Sequence, residues 1–508
     1  MSSRSGSSSV EVAVRDLRYM HDSASAPLLE GLTAPFPRGF TGVVGANGTG
    51  KTTLLRLLAG DLEPDGGQRV VPDAVAFCPQ RTDAAPPAYP AFLDAEDPDA
   101  WVLRGRLGVE VLRDRPWSTL SHGERKRAQI GTALWQTPDL LLVDEPTNHI
   151  DAEARALLLD ALRTFRGVGV IVSHDRDLLD ALCAHCLWLE PPGAALYPGG
   201  YSEARAQREA AHEAALREHA DARRERDRLE REQRRRREAA SHSHRLRSKR
   251  GLAPKDSDGR ARRDLARVTG KDGQAGRIMN QLAGRTAQAG ERLARARVRK
   301  EHLGEVWLAG TAARRDALLD RAAGSLPLLD GRGLVHPPLR IGSRDRIALT
   351  GPNGAGKSTL VASLLPELRV DAGRLLYLPQ EVSAAGTRAL LDAVRALPGE
   401  RLGHVMQIVA RLGSAPGRLL ETREPSPGEA RKLQFALGVT GAPQLVVMDE
   451  PTNHLDLPAI EALESALADC PCALLLVSHD ARFLAALAEV RWALEADADG
   501  STRLRVER

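Results

Sequence analysis

The 508-residue sequence has no apolar run approaching the roughly 18 to 20 residues that a helix needs to cross a bilayer. A transmembrane pore is therefore not encoded in it. Residues 1–10 are Ser-rich with one Arg and lack the apolar stretch of a secretory signal, so they read as a disordered leader and the chain is expected in the cytoplasm. Cysteine is scarce: five residues, an odd set, argue against a disulfide framework in a chain of this size. Cys183-Ala184-His185-Cys186 has the spacing of a metal or redox pair. No second Cys/His pair stands at ligand spacing, and Leu182 and Leu187 flank it, which favours small core residues. Aromatics are missing between Trp307 and Tyr377, and neither Pro nor Gly occurs from Glu203 to about Leu246.

Two octapeptides stand out in what is present. Gly45-Ala46-Asn47-Gly48-Thr49-Gly50-Lys51-Thr52 and Gly351-Pro352-Asn353-Gly354-Ala355-Gly356-Lys357-Ser358 both satisfy G-x-x-x-x-G-K-[ST]. The glycines let backbone N–H groups turn inward around phosphates, Lys51 and Lys357 neutralise them, and Thr52 and Ser358 are placed to ligate Mg²⁺. Each loop opens a helix, starting with Thr53 or Thr359, whose dipole adds to anion binding. The chain is thus read as two nucleotide-handling cores.

The same series follows each loop. A short strand ends in Gln80 or Gln380, a side chain suited to touch the metal or the attacking water. The apolar runs Leu140–Val143 and Leu445–Met448 suit buried parallel strands and end in Asp144-Glu145 and Asp449-Glu450. The aspartate of such a pair can hold Mg²⁺, and the glutamate can polarise water for attack on a γ-phosphate. Both copies continue as Pro-Thr-Asn-His-[Ile/Leu]-Asp, through Asp151 and Asp456, and a later strand in each ends in Ser-His-Asp. His174 and His479, as neutral imidazoles, could contact the γ-phosphate; the bland alternative is a helix cap.

This order of motifs resembles the ATP-binding cassette ATPases over nearly the whole of both terminal parts. The resemblance implies a signature between the glutamine and the acidic strand, here Leu120-Ser121-His122-Gly123-Glu124 and Pro425-Ser426-Pro427-Gly428-Glu429. Ser121 and Gly123 would then bind ATP held by Lys357, and Ser426 and Gly428 ATP held by Lys51. Each proline in the second signature removes an N–H donor and fixes φ, so the site using it is expected to hydrolyse slowly or mainly hold ATP. The family commonly stacks adenine on an aromatic before the phosphate loop. Tyr19 matches that place in the first copy, and the second copy has no aromatic there.

Between the cores lies the basic part of the chain. From Glu203 to Arg321 there are 32 Lys/Arg against 19 Asp/Glu, so the remainder is acidic although the whole carries only +4. Glu203 to about Leu246 has high helix propensity and only a thin apolar stripe, with Leu216, Leu229 and Leu246. It is expected to pair antiparallel with Ile278–Val306, bearing Leu282, Leu293 and Leu303, around a basic irregular tip at about 248–277. Two cassettes without a membrane domain, with Asn-His-[Ile/Leu]-Asp and Tyr197-Pro198-Gly199-Gly200-Tyr201-Ser202 leading into such helices, resemble the ABC-F group in particular. In that group the hairpin enters the ribosomal tRNA exit site towards the peptidyl-transfer centre and the P-site tRNA. The stretch Asp264–Gly273 also looks like tips of drug-protection members, and the short Gln80–Ser121 and Gln380–Ser426 intervals leave no room for the extra arm of some housekeeping members.

The expected fold is α/β: a leader, a first cassette at 11–202, a hairpin arm at 203–323 and a second cassette at 324–508. The expected molecule is a monomer whose cassettes pair intramolecularly around ATP and Mg²⁺. Its expected activity is ATP hydrolysis coupled to ribosome binding through ribosomal RNA and P-site tRNA, protecting against ribosome-targeting antibiotics. The alternatives are a housekeeping ABC-F translation factor, the soluble ATPase of an exporter, and a DNA-transaction ATPase.

Overall fold

A computed structural model of the chain describes residues 11–21, 26–148, 150–191, 193–247, 271–296, 310–328, 331–371, 373–422, 424–496 and 501–507. The expected leader, most of the expected tip (248–270), Leu303 and His149 lie outside them.

In the first cassette a six-stranded sheet runs Val75–Cys78, Leu140–Asp144, Val168–Val172, Gly39–Val44, Cys183–Glu190, Gly193–Pro198; all neighbours are parallel except the last pair. Every residue of Leu140–Asp144 and Val168–Val172 is buried, as the uninterrupted aliphatic runs require when both faces are covered. Gly169 is the exception in chemistry: a Cβ there would stand 2.4 Å from the Phe40 ring. A separate antiparallel layer, Leu29–Phe36, Val12–Tyr19, Gly66–Val70, packs its apolar face on the helix that follows the phosphate loop.

The second cassette repeats the plan in an eight-stranded sheet, with Leu375–Leu378, Leu445–Asp449, Ala473–Val477, Arg346–Thr350 and Val490–Ala496 parallel in that order. In both sheets the phosphate-loop strand lies beside the strand ending in Ser-His-Asp, with the acidic strand next to that. All three therefore deliver their carboxyl ends to one edge, where open parallel sheets bind ligands. The second cassette begins earlier than residue 324. Thr311 N–H donates to Pro443 O, and Ala317–Arg321 pairs with Leu339–Gly342, so these residues fold with the cassette and not with the arm.

The arm contains the helices Tyr201–Arg247 and Lys271–Arg295. Residues 271–277, expected as irregular tip, are already helical. Leu229, Leu282 and Ala289 are buried together. Leu216 is 47% exposed. Where the apolar stripe is thin, pairs such as Arg205–Glu209 and Arg236–Glu232 add a few tenths of a kcal/mol each to the helix.

Cys470 and Cys472 are joined by a disulfide, a local link and not a framework. It spans one intervening residue and ties no distant elements together. Cys78, Cys183 and Cys186 are buried thiols, and burial pushes Cys78 and Cys186 up to about 12. Among the described residues no cluster of three or more His, Cys, Asp or Glu is placed to hold a metal by itself.

Candidate functional site

The two phosphate loops have nearly the same backbone. Gly45, Gly48 and Gly50 have φ of 153°, 79° and 94°, and Gly351, Gly354 and Gly356 have 151°, 77° and 94°, a region closed to most side chains. A Cβ on Gly45 would also lie 2.5 Å from Leu189 O. Lys51 Nζ donates to Gly45 O (2.8 Å) and Ala46 O (3.0 Å), and Lys357 Nζ to Gly351 O (2.8 Å) and Pro352 O (3.1 Å). Burial lowers both ammonium pKa values, opposed by the neighbouring carboxylates.

At the end of each acidic strand the chain turns through a left-handed residue, Glu145 (φ 44°) and Glu450 (φ 49°). A non-glycine there costs about 1–2 kcal/mol per residue. The conformation is held by Glu145 N–H to Val172 O and Glu450 N–H to Val477 O, both 2.8 Å, and it sets each carboxylate against the neighbouring histidine. His174 Nε2 lies 3.0 Å from Glu145 Oε1, and His479 Nε2 lies 3.4 Å from Glu450 Oε1. Burial raises both glutamates, that of Glu450 to about 7, with Asp449 adding to the rise and Lys357 opposing it. Burial lowers both imidazoles, His479 to about 4, so they are neutral at physiological pH. Both Asp144 oxygens and Asp449 Oδ1 are buried without a hydrogen-bond partner among the described residues. Carboxylate oxygens left bare beside Thr52 and Ser358 are a donor set that fits a hard cation.

Two cavities open here. The first, about 840 Å³, is lined by Asn47, Gly48, Gly50, Lys51, Thr52, Thr53, Gln80, Glu145 and His174. The second, about 420 Å³, is lined by Asn353, Gly354, Gly356, Lys357, Ser358, Thr359, Gln380, Asp449, Glu450 and His479. Residues read from the sequence thus converge in two groups. Tyr19 does not join the first. It packs partly buried against the strand-layer core, and His21, edge-on to its ring at 5.0 Å, takes the place at the cavity wall.

The signatures lie across from the opposite loops. Ser121 and Gly123 share a cavity of about 230 Å³ with Asn353. A Cβ on Gly428 would stand 2.4 Å from His454 O and 3.6 Å from Asn47 Nδ2; Ser426 itself is not at the wall of the first cavity. Ser121 and Ser426 both N-cap their helices with full capping boxes to Glu124 and Glu429. Pro427 occupies the first helical position, where proline leaves the helix intact, so the lost N–H is its sole local change.

Other contacts escaped the motif reading. Asp456 N-caps the helix Leu457–Ala468 and its second oxygen accepts from Asn47 N–H at 2.6 Å, while Asn47 Nδ2 donates to His454 O at 3.1 Å. The matching Asp151–Asn353 contact is 3.5 Å. Lys126 donates to Pro79 O and Asp144 O, and Arg431 to Pro379 O, Gln380 O and Glu450 O. Each buried cation ties the glutamine segment and the acidic strand to the signature helix. Their common position, five residues after the signature serine, was the available signal.

The ABC transporter family matches residues 35–148 and again 336–453. The chain is 33% identical to the ATP-binding protein Uup of Caulobacter vibrioides, over 95% of this chain and 77% of that protein. It is 33% identical to the tylosin resistance ATP-binding protein TlrC of Streptomyces fradiae, over 87% of this chain and 89% of that one.

This chain belongs to the ABC-F family of ATPases.

It is also 28% identical to the ribosome protection protein VmlR of Bacillus subtilis (87% of this chain, 79% of that one). The fold of this ABC-F ATPase is similar to that of the archaeal ribosome recycling factor aABCE1, at a TM-score of 0.61 and 19% identity over 96% of this chain and 89% of that one. No helix among its described residues is long and apolar enough to cross a membrane.

Proposed function

We propose that this ABC-F ATPase is a cytoplasmic, ribosome-binding factor that docks when ATP closes its cassettes and leaves after hydrolysis, and that it protects the ribosome against antibiotics. The observation that carries the reading is the meeting of each phosphate loop with the other cassette, Asn47 with Asp456 and His454, and Asn353 with Ser121 and Gly123 in one cavity. A nucleotide bound there is held from both sides, so its presence sets the closure of the pair. In this reading the Arg-rich arm enters the tRNA exit site towards the peptidyl-transferase centre, its guanidiniums placed for ribosomal RNA and P-site tRNA. The likeness to TlrC and VmlR, whose names carry resistance and ribosome protection, is what suggests a protective role.

Lys51 and Lys357 bind the phosphates. Thr52, Asp144 and Gln80 in one site, and Ser358, Asp449 and Gln380 in the other, would hold Mg²⁺, which supplies charge neutralisation at the β- and γ-phosphates. Glu145 and Glu450 orient the attacking water, each fixed by the N–H of His174 or His479 to its Oε2 (3.2 and 3.3 Å). The neutral imidazoles stand against the glutamates without adding a charge to the site.

Glu145→Gln combined with Glu450→Gln should hold the protein closed on MgATP. Sedimentation with 70S ribosomes tests this: the double variant pellets with ribosomes in MgATP and stays in the supernatant in ADP. A variant that binds MgATP yet remains in the supernatant would sink the ribosome reading.

A further inference from the structure

The first cavity has a wall that no family motif supplies. Beside the loop residues it is lined by His21, Pro27 and Leu28 of the first cassette, and by Arg418 of the second. Arg418 stands on the short helix Pro416–Glu421, anchored by the buried Leu419 next to it. Its side chain is exposed, and among the described residues its guanidinium has no hydrogen-bond or ion-pair partner. At the tip of the phosphate loop the gap between cassettes is already closed by Asp456 and His454 on Asn47. The second cassette's arginine therefore faces the rest of the cavity mouth, on the side of His21 and Leu28. Among the described residues the other site has no such group: the first-cassette arginine at the second cavity, Arg155, is spent on Asp175 and Asp177 at 2.8 and 2.9 Å.

We propose that Arg418 and His21 close from opposite cassettes on the base–ribose end of the nucleotide in the first site, and so take the part that the family resemblance gives to Tyr19. A planar guanidinium and an imidazole both suit the faces of a purine and the ribose hydroxyls, and a free arginine loses no existing bond on engaging them. Tyr19 acts through His21, holding its ring edge-on with the hydroxyl 3.4 Å from Nδ1. The nucleotide is then gripped across the cassettes at both ends, by the signature segment at the phosphates and by Arg418 at the base. The inference rests on the reading of this cavity as an ATP site.

The test uses the full chain with Glu145→Gln to stop turnover in the first site and Lys357→Ala to silence the second. Calorimetry gives the affinity for MgATP and for magnesium tripolyphosphate, which lacks base and ribose. Adding Arg418→Ala should weaken MgATP about tenfold, as loss of a charge-assisted contact does, and leave tripolyphosphate within twofold. Photolabelling with 8-azido-ATP should mark the peptides carrying His21 and Arg418 in the parent, one from each cassette. Unchanged MgATP affinity, or equal loss for tripolyphosphate, overturns the inference. Arg418 is exposed, so the variant should unfold at the parental temperature without nucleotide; if it does not, Arg418→Lys is measured, and the proposal then requires MgATP to weaken against tripolyphosphate in that variant too. Failure of the parent to bind MgATP at all would instead overturn the reading of the cavity.

Discussion

The two nucleotide sites are built from matching parts and differ in what crosses between the cassettes. At the first loop, Asn47 makes two close contacts to the second cassette, through Asp456 and His454 O. At the second loop, Asn353 N–H lies 3.5 Å from Asp151, and its side-chain oxygen lies 3.0 Å from His479 of its own cassette, which also contacts Lys357 at 3.1 Å. The first site faces the signature with two prolines, and the second faces Ser121, His122 and Gly123. Among the described contacts, the one from the loop backbone to the facing helix cap is 2.6 Å at the first loop and 3.5 Å at the second. The two prolines remove N–H donors from the signature facing the first site, so slower turnover is expected there than at the second.

Steady-state hydrolysis is the strongest way to break this contrast. Glu450→Gln should lower turnover about 100-fold, in the range for loss of a water-orienting base, whereas Glu145→Gln alone should lower it only a few-fold. Equal losses would make the sites equivalent.

Stability separates the two aspartates next. Asp456→Ala removes a helix cap, the contact to Asn47, and the partner of Lys432, which is buried at 3% exposure and 3.7 Å away. Leaving that ammonium uncompensated should cost about 3 kcal/mol in denaturant unfolding. Asp151→Ala loses a cap and a weak contact, worth about 1 kcal/mol.

A pH effect follows from Glu450. Its folded pKa of about 7 lies above the ordinary 4.5, so between those values the folded state binds more protons than the unfolded chain. Its contribution to stability is lost as pH rises through that window, and Glu450→Gln removes this share of the fall, leaving that of Glu145. In nucleotide-free protein, Glu450→Gln should therefore raise the unfolding temperature by more degrees at pH 8 than at pH 5. An identical gain at both pH values would contradict the raised carboxyl.

The smallest expected effect sharpens the comparison from the signature side. Pro425→Leu with Pro427→His, copying the first signature, restores two N–H groups, one of them at the helix start, and should raise the residual turnover of a Glu450→Gln protein about two- to threefold. No rise would mean that the closed loop contacts at Asn47, and not the missing donors, limit that site.

Much of this was legible in order along the chain. The phosphate loops, the acidic strand ends and the signature serines each depend on residues adjacent in sequence, because a left-handed turn, a helix cap or a metal-facing carboxylate is a local device. The long helix was legible for the same reason: 203–246 lacks breakers, and the structure extends it only to Tyr201–Arg247. The start of its partner was not. Lys271–Ile278 contains Gly273 and Gly276, which local propensity reads as tip, and yet the backbone there is helical.

The sequence by itself determined that there are two ATP-binding cores and that a basic helical arm joins them. The tertiary structure decided which cassette faces which loop and how closely. It set Asp456 against Asn47 across 409 residues of chain, moved Tyr19 behind His21, and brought Arg418 to a cavity whose other walls lie more than 240 residues away. Contacts of that separation leave no periodicity or spacing to read, because they are fixed by how two folded surfaces meet and not by the conformation of any one segment.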